Sequence, residues 1–497
     1  MPPCWIGLDV GSGSVRASLL DGKGVLRLVT RRPLHPRSGA ERLTYDPREI
    51  LAAASACLTG AARRAPRASL LGAGLAVQRS TFLIWRRSDG RPLTPAFGWQ
   101  SRDGILPRSP GEARSVARLT GLRWSPHYAG PRAAALLRRR PRLRRLLLSG
   151  AACLGTLDAF LLYRWTRGAT FRTDPTHAQR TLLYSPARGT WEPRLLRRFG
   201  IPARCLPEVG PSAGWRLWLP EIGVPLTASC GDQQAAFHAV QICVPRACMV
   251  NYGTGAFVLA QAPPRSRRPA GLLLAETASL RGGRARAFEA PVPTGASSFE
   301  LLRAGGASAP RAARPPRLVR RSSARAGGEK SLSSALLIAA THGLGAPFWI
   351  ERSPSLLLFD RLPEGPAAEE AAEFSIASSV QAALERLGGP ARRLVAAGGL
   401  SERDGLLQIQ ADLLGRPVDR ARPAEWTALG AALMSASARR PPRPRVRLER
   451  FLPRRQMRSL ALARYRVWIA SVRFLRRIGP DFNLRRHSVV QRSKSKS

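Results

Sequence analysis

One stretch, Val224–Phe257, constrains this chain more than any other: VPLTASCGDQQAAFHAVQICVPRACMVNYGTGAF. An apolar, β-prone run ends at Cys230, and Gly231-Asp232-Gln233-Gln234 turns it into a helical segment. A second β-type run, Ala247 to Asn251, leads into Tyr252-Gly253-Thr254-Gly255. A carboxylate and two amides at a strand-to-helix junction suit a small hydroxylated substrate. A Gly-Thr-Gly turn straight after a strand suits phosphate, because glycine lets backbone N–H groups close on oxygen anions. Neither turn decides a function alone; their pairing does the constraining.

The front of the chain offers a partner for this stretch. Trp5–Asp9 reads as a strand ending on a carboxylate, Val10-Gly11-Ser12-Gly13-Ser14 as a turn, and Val15–Leu20 as the returning strand. A Gly- and Ser-rich hairpin tip beside an aspartate suits a phosphate cradle with a metal-anchoring acid, although the same residues make ordinary surface turns. Arg16 suits either a phosphate contact or a solvated strand position. Asp46–Arg63 has the apolar spacing of an amphipathic helix. Gly72–Val77 is a buried strand ending in Gln78-Arg79-Ser80-Thr81, and Ala96-Phe97-Gly98-Trp99-Gln100 closes a hairpin unit. Gln78, Arg79, Trp99 and Gln100 thus fall at strand ends, where open α/β sheets bind ligands. His127 enters a helix, where a lone histidine is more often a capping or core residue than a catalyst. Antiparallel hairpins at the front of repeated α/β units point to a mixed sheet rather than a pure Rossmann fold.

Later segments are less informative. Gly271–Glu289 reads as paired strands around Gly282-Gly283, and Pro310–Lys330 as a basic, low-complexity loop. Leu394-Val395-Ala396-Ala397-Gly398-Gly399 is a buried strand entering a glycine turn, followed by helices at Gly405–Leu414 and Trp426–Ser437. Met457, Ala461, Trp468, Val472 and Leu475 then share one face of a last, basic helix, expected to dock on a second domain rather than on a membrane. Asn483–Ser497 reads as a disordered tail.

At 497 residues the chain is too long for one core, so two domains of about 200–250 residues are expected. The 80 basic residues against 32 acidic ones give a net charge of +48, which would ordinarily point to nucleic acid. Only Lys23, Lys330, Lys494 and Lys496 are lysines, however, and the arginines run through every segment beside abundant Ala, Gly and Pro. That pattern matches a compositional bias, and no aromatic-plus-basic RNA-binding cluster accompanies it. Seven irregularly spaced cysteines without a CxxC pair suit reduced cytosolic thiols and not a zinc site. No signal peptide and no bilayer-spanning run is evident, so a soluble cytoplasmic protein is expected.

Seven motifs in order carry a resemblance: LDVGSGSVR, VQRSTF with FGWQSR, GTLDAFLLYRWT with TDPTHAQRTLL, CGDQQAA, NYGTGAF, GLGAPFW and AAGGLSERDGLLQIQADLLG. Over residues 4–440 the chain resembles the FGGY carbohydrate kinases, most closely their glycerol kinase branch. The resemblance implies two actin/hexokinase-like (ribonuclease H-like) α/β domains, each around a mixed five-stranded sheet, flanking a cleft. It places an N-terminal domain at 1–245, a nucleotide-binding domain at 246–445 with a basic loop at 307–331, and a basic helix and tail at 446–497. ATP and Mg²⁺ are the implied cofactors, and a small polyol or sugar the implied partner. No specific nucleic acid partner is expected, and assembly as a homodimer or tetramer stays open.

Carried over by residue, Asp232 corresponds to the general base and Asp9 to the carboxylate that holds Mg²⁺ through its waters. Gly11, Ser12, Gly13, Ser14 and Arg16 on one hairpin, and Gly253, Thr254 and Gly255 on the other, would grip phosphates from opposite domains. Gly295, Gly398, Gly399 and Arg403 fall at nucleotide positions; Gln78, Arg79, Trp99, His127 and Gln233 fall at substrate positions. There are departures. The family's glycerol kinases carry Glu where Ser80 stands and Tyr where His127 stands, which should weaken or alter polyol selection. Arg403 replaces the adenosine motif's Asn, although arginine can stack on a base. The segment around Gly295 fits only with a one-residue slip, and Arg132 and Ala135 stand where Lys and Trp are typical.

Overall fold

The structure is a computed structural model that describes residues 2–478 except 40–41, 67–68, 221, 279, 281–282, 284, 304–334, 341–342, 352, 359–362, 389–392, 423–424 and 438–440. The expected basic loop at 307–331, Gly282 and the tail from Asn483 fall outside the described residues.

The first domain is built on β1 (Cys4–Val10), β2 (Ser14–Asp21), β3 (Leu26–Pro33), β4 (Leu70–Val77), β5 (Ala213–Leu219) and β6 (Val224–Gly231), in spatial order β5-β6-β4-β1-β2-β3. β1, β4 and β6 run parallel, while β2, β3 and β5 pair antiparallel to their neighbours. All seven residues of β1 are buried, as a strand covered on both faces requires. Helix α1 (Pro47–Arg64) begins where the Asp46 side chain accepts from Arg48 N at 2.9 Å with Pro47 in the first turn, a standard entry signal. It lays Ile50, Ala54, Cys57, Leu58 and Ala61 onto the first sheet's core. Helices α2 (Ala129–Arg139), α3 (Leu157–Trp165) and α4 (Pro175–Gln179) follow, and α5 (Asp232–Cys243) leaves directly from the end of β6.

The second domain repeats the scheme. β7 (Cys248–Tyr252), β8 (Ala256–Gln261), β9 (Leu273–Glu276), β10 (Arg286–Val292), β11 (Leu394–Ala397), β12 (Val418–Arg422) and β13 (Arg447–Phe451) lie in the order β9-β10-β8-β7-β11-β12-β13. Again an antiparallel hairpin, β7/β8, flanks a parallel set, β7, β11 and β12. Both sheets therefore contain the expected five mixed strands but are larger than expected, with six and seven. β5 adds to the first, and β9 and β13 cap both edges of the second, each covering a row of backbone groups that would otherwise lie unpaired. Helices α6 (Ser297–Arg303), α7 (Gly365–Leu387), α8 (Asp404–Leu414), α9 (Trp426–Ala436) and α10 (Arg455–Ile478) complete the unit. α10 buries Ala461, Tyr465, Trp468, Val472 and Leu475 in the second domain's core, and Trp468 Nε1 donates to the Leu337 carbonyl at 3.1 Å.

The two halves meet through α5 and α9. Trp5, Phe237, Val240, Met249, Val395, Trp426, Leu429 and Leu433 form one core drawn from both sheets. α9 rests on β1 and β4 by direct backbone approach. A Cβ on Gly7 would stand 1.9 Å from the Ala428 carbonyl oxygen, and one on Gly74 1.9 Å from that of Ala431. Only glycine permits that approach.

Candidate active site

The β1/β2 turn is closed by Gly11 N donating to Ser14 O at 3.1 Å, and it is held from outside by two side chains. Gln78 Nε2 donates to Gly11 O at 3.3 Å, and Trp99 Nε1 donates to Ser12 Oγ at 3.1 Å. Gln78 and Trp99, read from sequence as substrate positions, thus brace the first hairpin. The β7/β8 turn is closed in the same way, by Gly253 N donating to Gly255 O at 2.9 Å. Two later glycines pack on it. A Cβ on Gly295 would lie 2.4 Å from Thr254 O; one on Gly398, whose φ is +85°, would lie 2.2 Å from Asn251 Oδ1. The positions Gly253–Gly255, Gly295 and Gly398 are far apart in sequence and adjacent in space, with Gly399 following.

Asp9 ends β1 buried, its Oδ2 accepting from Arg16 Nη2 at 2.6 Å, while Arg16 also pairs with Glu425 at 3.2 Å. Burial pushes the Asp9 carboxyl up to about 6; Arg16 opposes the shift, and Asp232 and Glu425 add to it. Burial wins because a carboxylate withdrawn from water loses more hydration than one partly shared guanidinium returns.

Asp232 opens α5, with Oδ1 accepting from Gln233 N at 2.8 Å and lying 3.5 Å from Arg79 Nε. Its acidity is also weakened, first by burial, with Arg79 opposing. The junction beneath it is fixed by a buried chain: Gly231 N donates to Thr176 Oγ1 at 2.7 Å, and Thr176 donates to Asp174 at 2.8 Å. Asp174 also accepts from His177 N at 3.0 Å, capping α4. Gln233 Oε1 accepts from Asn251 Nδ2 at 2.9 Å, which ties α5 to the strand before the second hairpin.

Arg79 occupies the centre of this cluster. It pairs with Glu289 at 2.9 Å and lies over the Phe257 ring at 5.5 Å. His127 sits beside Tyr128 at 4.0 Å between ring centroids, with Nδ1 2.7 Å from Ser125 Oγ. Burial, reinforced by Arg102, Arg180, Arg132 and Arg79, pulls the His127 imidazole down to about 3 and keeps it neutral. Arg132 is buried against Asp103 at 2.7 Å. Glu289, Arg180, Tyr128 and Glu425 were not singled out from sequence. Glu289 had one visible signal, a lone acid inside the apolar strand RAFEAPV.

The N-terminal-domain model of the FGGY family of carbohydrate kinases matches residues 4–216, and the C-terminal-domain model matches 248–439. The chain belongs to this family. A glycerol kinase of Thermus brockianus is 35% identical over 447 residues, covering 86% of this chain and 88% of its own. One of Alkalilimnicola ehrlichii is 34% identical, covering 87% and 90%. Among solved structures, the fold is similar to Plasmodium falciparum glycerol kinase with ADP, with a TM-score of 0.77, 18% identity and coverage of 95% and 98%. It is also similar to Lactobacillus acidophilus xylulose kinase, with a TM-score of 0.79, 16% identity and coverage of 97% and 100%.

Within this FGGY kinase Arg403 stands where a nucleotide contact was expected from the sequence. Its guanidinium is already engaged, with Glu373 at 2.6 Å, Glu369 at 2.8 Å and the Phe299 ring at 4.5 Å. It joins α6, α7 and the turn before α8. Arg403→Ala should therefore lower stability by about 1–2 kcal/mol, since Glu373 keeps its burial and loses its counter-ion while the Glu369 pair is exposed and contributes little. A thermal melt reads this; an unchanged melting temperature with a raised KM for ATP would instead give Arg403 a role confined to nucleotide.

Proposed function

We propose that this FGGY kinase transfers the γ-phosphoryl group of ATP to a hydroxyl of glycerol, giving glycerol 3-phosphate. The observation that carries the proposal is Asp232, set 3.5 Å from Arg79 at the head of α5, on the stretch that leads into the second glycine hairpin. The names of the Thermus and Alkalilimnicola relatives support the substrate. The hydroxyl oxygen attacks the γ-phosphorus, the bond to the β,γ-bridging oxygen breaks, and the hydroxyl proton passes to Asp232. Such a transfer asks the protein mainly for in-line placement and neutralisation of spread charge. Backbone N–H groups of the two hairpins meet phosphate oxygens, and Arg79 orients the polyol and the base. Closing the two domains excludes water and completes the site.

Among the described residues no group of three or more His, Cys, Asp or Glu forms a ready metal cage. One buried carboxylate, Asp9, together with nucleotide phosphates is nonetheless a fitting donor set for Mg²⁺, which keeps several of its waters. When bound, Mg²⁺ would neutralise charge on the phosphate oxygens.

A second reading, a kinase of another polyol or a ketose, is favoured by Ser80, a buried residue with φ +64° where the glycerol-specific pattern has Glu. An ADP-release assay across glycerol, erythritol, xylulose and ribulose separates the two readings, with the highest kcat/KM expected for glycerol. No turnover with any of the four would leave a binding protein on a kinase fold. We place the protein in the cytoplasm: its seven cysteines are free, which suits a reducing compartment, and no helix among the described residues is long and apolar enough to cross a membrane.

Acid should inactivate the enzyme through Asp9. Below about 6 its carboxyl is protonated in the free enzyme, so kcat/KM should fall as pH drops through that value. Bound Mg²⁺ favours the ionised form, so the acid limb of kcat should lie lower than that of kcat/KM. Coincident limbs in the two profiles would contradict a metal-side role for Asp9.

A further inference from the structure

Glu289 is fully buried on β10, the second domain's strand, between Phe288 and Ala290. Its Oε2 accepts from Arg79 Nη1 at 2.9 Å and also from Arg180 Nη2. Both arginines belong to the first domain. Arg79 is shared, because its Nε faces Asp232 at 3.5 Å. One guanidinium therefore spans a carboxylate from each domain.

A buried ion cluster is a poor way to gain stability, since desolvation offsets most of its attraction. The cluster also leaves Glu289 Oε1 and Arg180 Nε buried without a hydrogen-bond partner. What Glu289 supplies is charge at a fixed place, and that charge reaches Asp232 through Arg79.

We propose that Glu289 is a positioning residue: it clamps Arg79 across the domain boundary, so that the Arg79–Asp232 pair is set for the polyol only when the two domains are shut. The proposal rests on the reading of Asp232 as the base. The charged and titratable groups around Arg79 are Asp232 on α5, Glu289 on β10, Arg180 after α4, and His127 and Tyr128 at the entry of α2. With Glu289 neutral, Arg79 would be free to favour ionised Asp232 and a like charge would be gone. Both effects make Asp232 more acidic.

The test uses the full chain with ATP, Mg²⁺ and glycerol, comparing wild type with Glu289→Gln and Glu289→Asp. Glu289→Gln should raise KM for glycerol about tenfold or more and change kcat less. Glu289→Asp keeps the charge on a shorter arm; it should fold like wild type and raise KM less. A Glu289→Gln enzyme with wild-type KM for glycerol would overturn the proposal, as would one that loses only melting temperature. Small-angle scattering without ligand needs no turnover: Glu289→Gln should show a larger radius of gyration than wild type, and an equal radius refutes the clamp. If wild type phosphorylates no polyol, the proposed function fails while scattering still decides the clamp.

Discussion

Asp232→Asn should reduce polyol phosphorylation by about 10²–10⁴-fold in kcat, the usual contribution of a placed general base, and leave a folded protein. The substitution keeps size and shape. The asparagine Oδ1 can still accept from Gln233 N, the bond now measured at 2.8 Å. Arg79 loses a partner 3.5 Å away but keeps Glu289 at 2.9 Å, so no guanidinium is stranded. What disappears is a proton acceptor. Asp232 is partly open at the head of α5, with 23% of its side chain exposed, and burial makes it more basic than an ordinary aspartate. Both suit a group that takes a proton late in transfer. Turnover by Asp232→Asn within tenfold of wild type, with an unchanged melt, would remove Asp232 from the chemistry.

The second large effect lies far from any phosphate. Gly74→Val should lower stability by about 1–3 kcal/mol or more, the range for overpacking a close-packed interior, and cost activity with it. A Cβ at Gly74 would fall 1.9 Å from the Ala431 carbonyl oxygen. The obstacle is backbone, so no rotamer change relieves it; α9 must lift off β4. Because α9 packs on β1 as well as β4, and Asp9 and the first hairpin stand at the end of β1, lifting it misaligns the two halves of the site. Gly111→Ala is the control, since its Cβ would meet nothing nearer than a side-chain atom at 3.5 Å. Thermal melts of both variants check the account, and a Gly74→Val protein as stable as Gly111→Ala would refute the packing argument.

The parts of this molecule that were legible in the sequence are those with local signals. A carboxylate followed by a Gly/Ser turn between two apolar runs announces the β1/β2 hairpin, and the same holds for Asp232 and for Gly253-Thr254-Gly255. Such features depend on residues within a few positions of each other. The apolar face of α10 was visible for the same reason. Contacts across long separations were not. Arg79 meets Glu289 across 210 positions and Arg16 meets Glu425 across 409, and nothing in either neighbourhood names its partner. Gln78 and Trp99 were correctly seen at strand ends, yet their hydrogen bonds brace the first hairpin, because a strand end supplies position and not direction. Of the extra edge strands, β9 falls within the paired strands expected at Gly271–Glu289, whereas β5 and β13 were not read as strands from the sequence. Gly7 and Gly74 look like weak points in otherwise apolar strands until α9 is laid across them.

The central claim is that Asp9, Asp232 and the two glycine hairpins form one phosphoryl-transfer site for a polyol. Phosphorus NMR of the purified chain with ATP, Mg²⁺ and glycerol tests it most directly. The account predicts ADP and a new phosphomonoester resonance appearing together in equal amounts, with neither accumulating when glycerol is left out. Release of inorganic phosphate at the same rate with and without glycerol, or no change in ATP at high enzyme concentration, would contradict it.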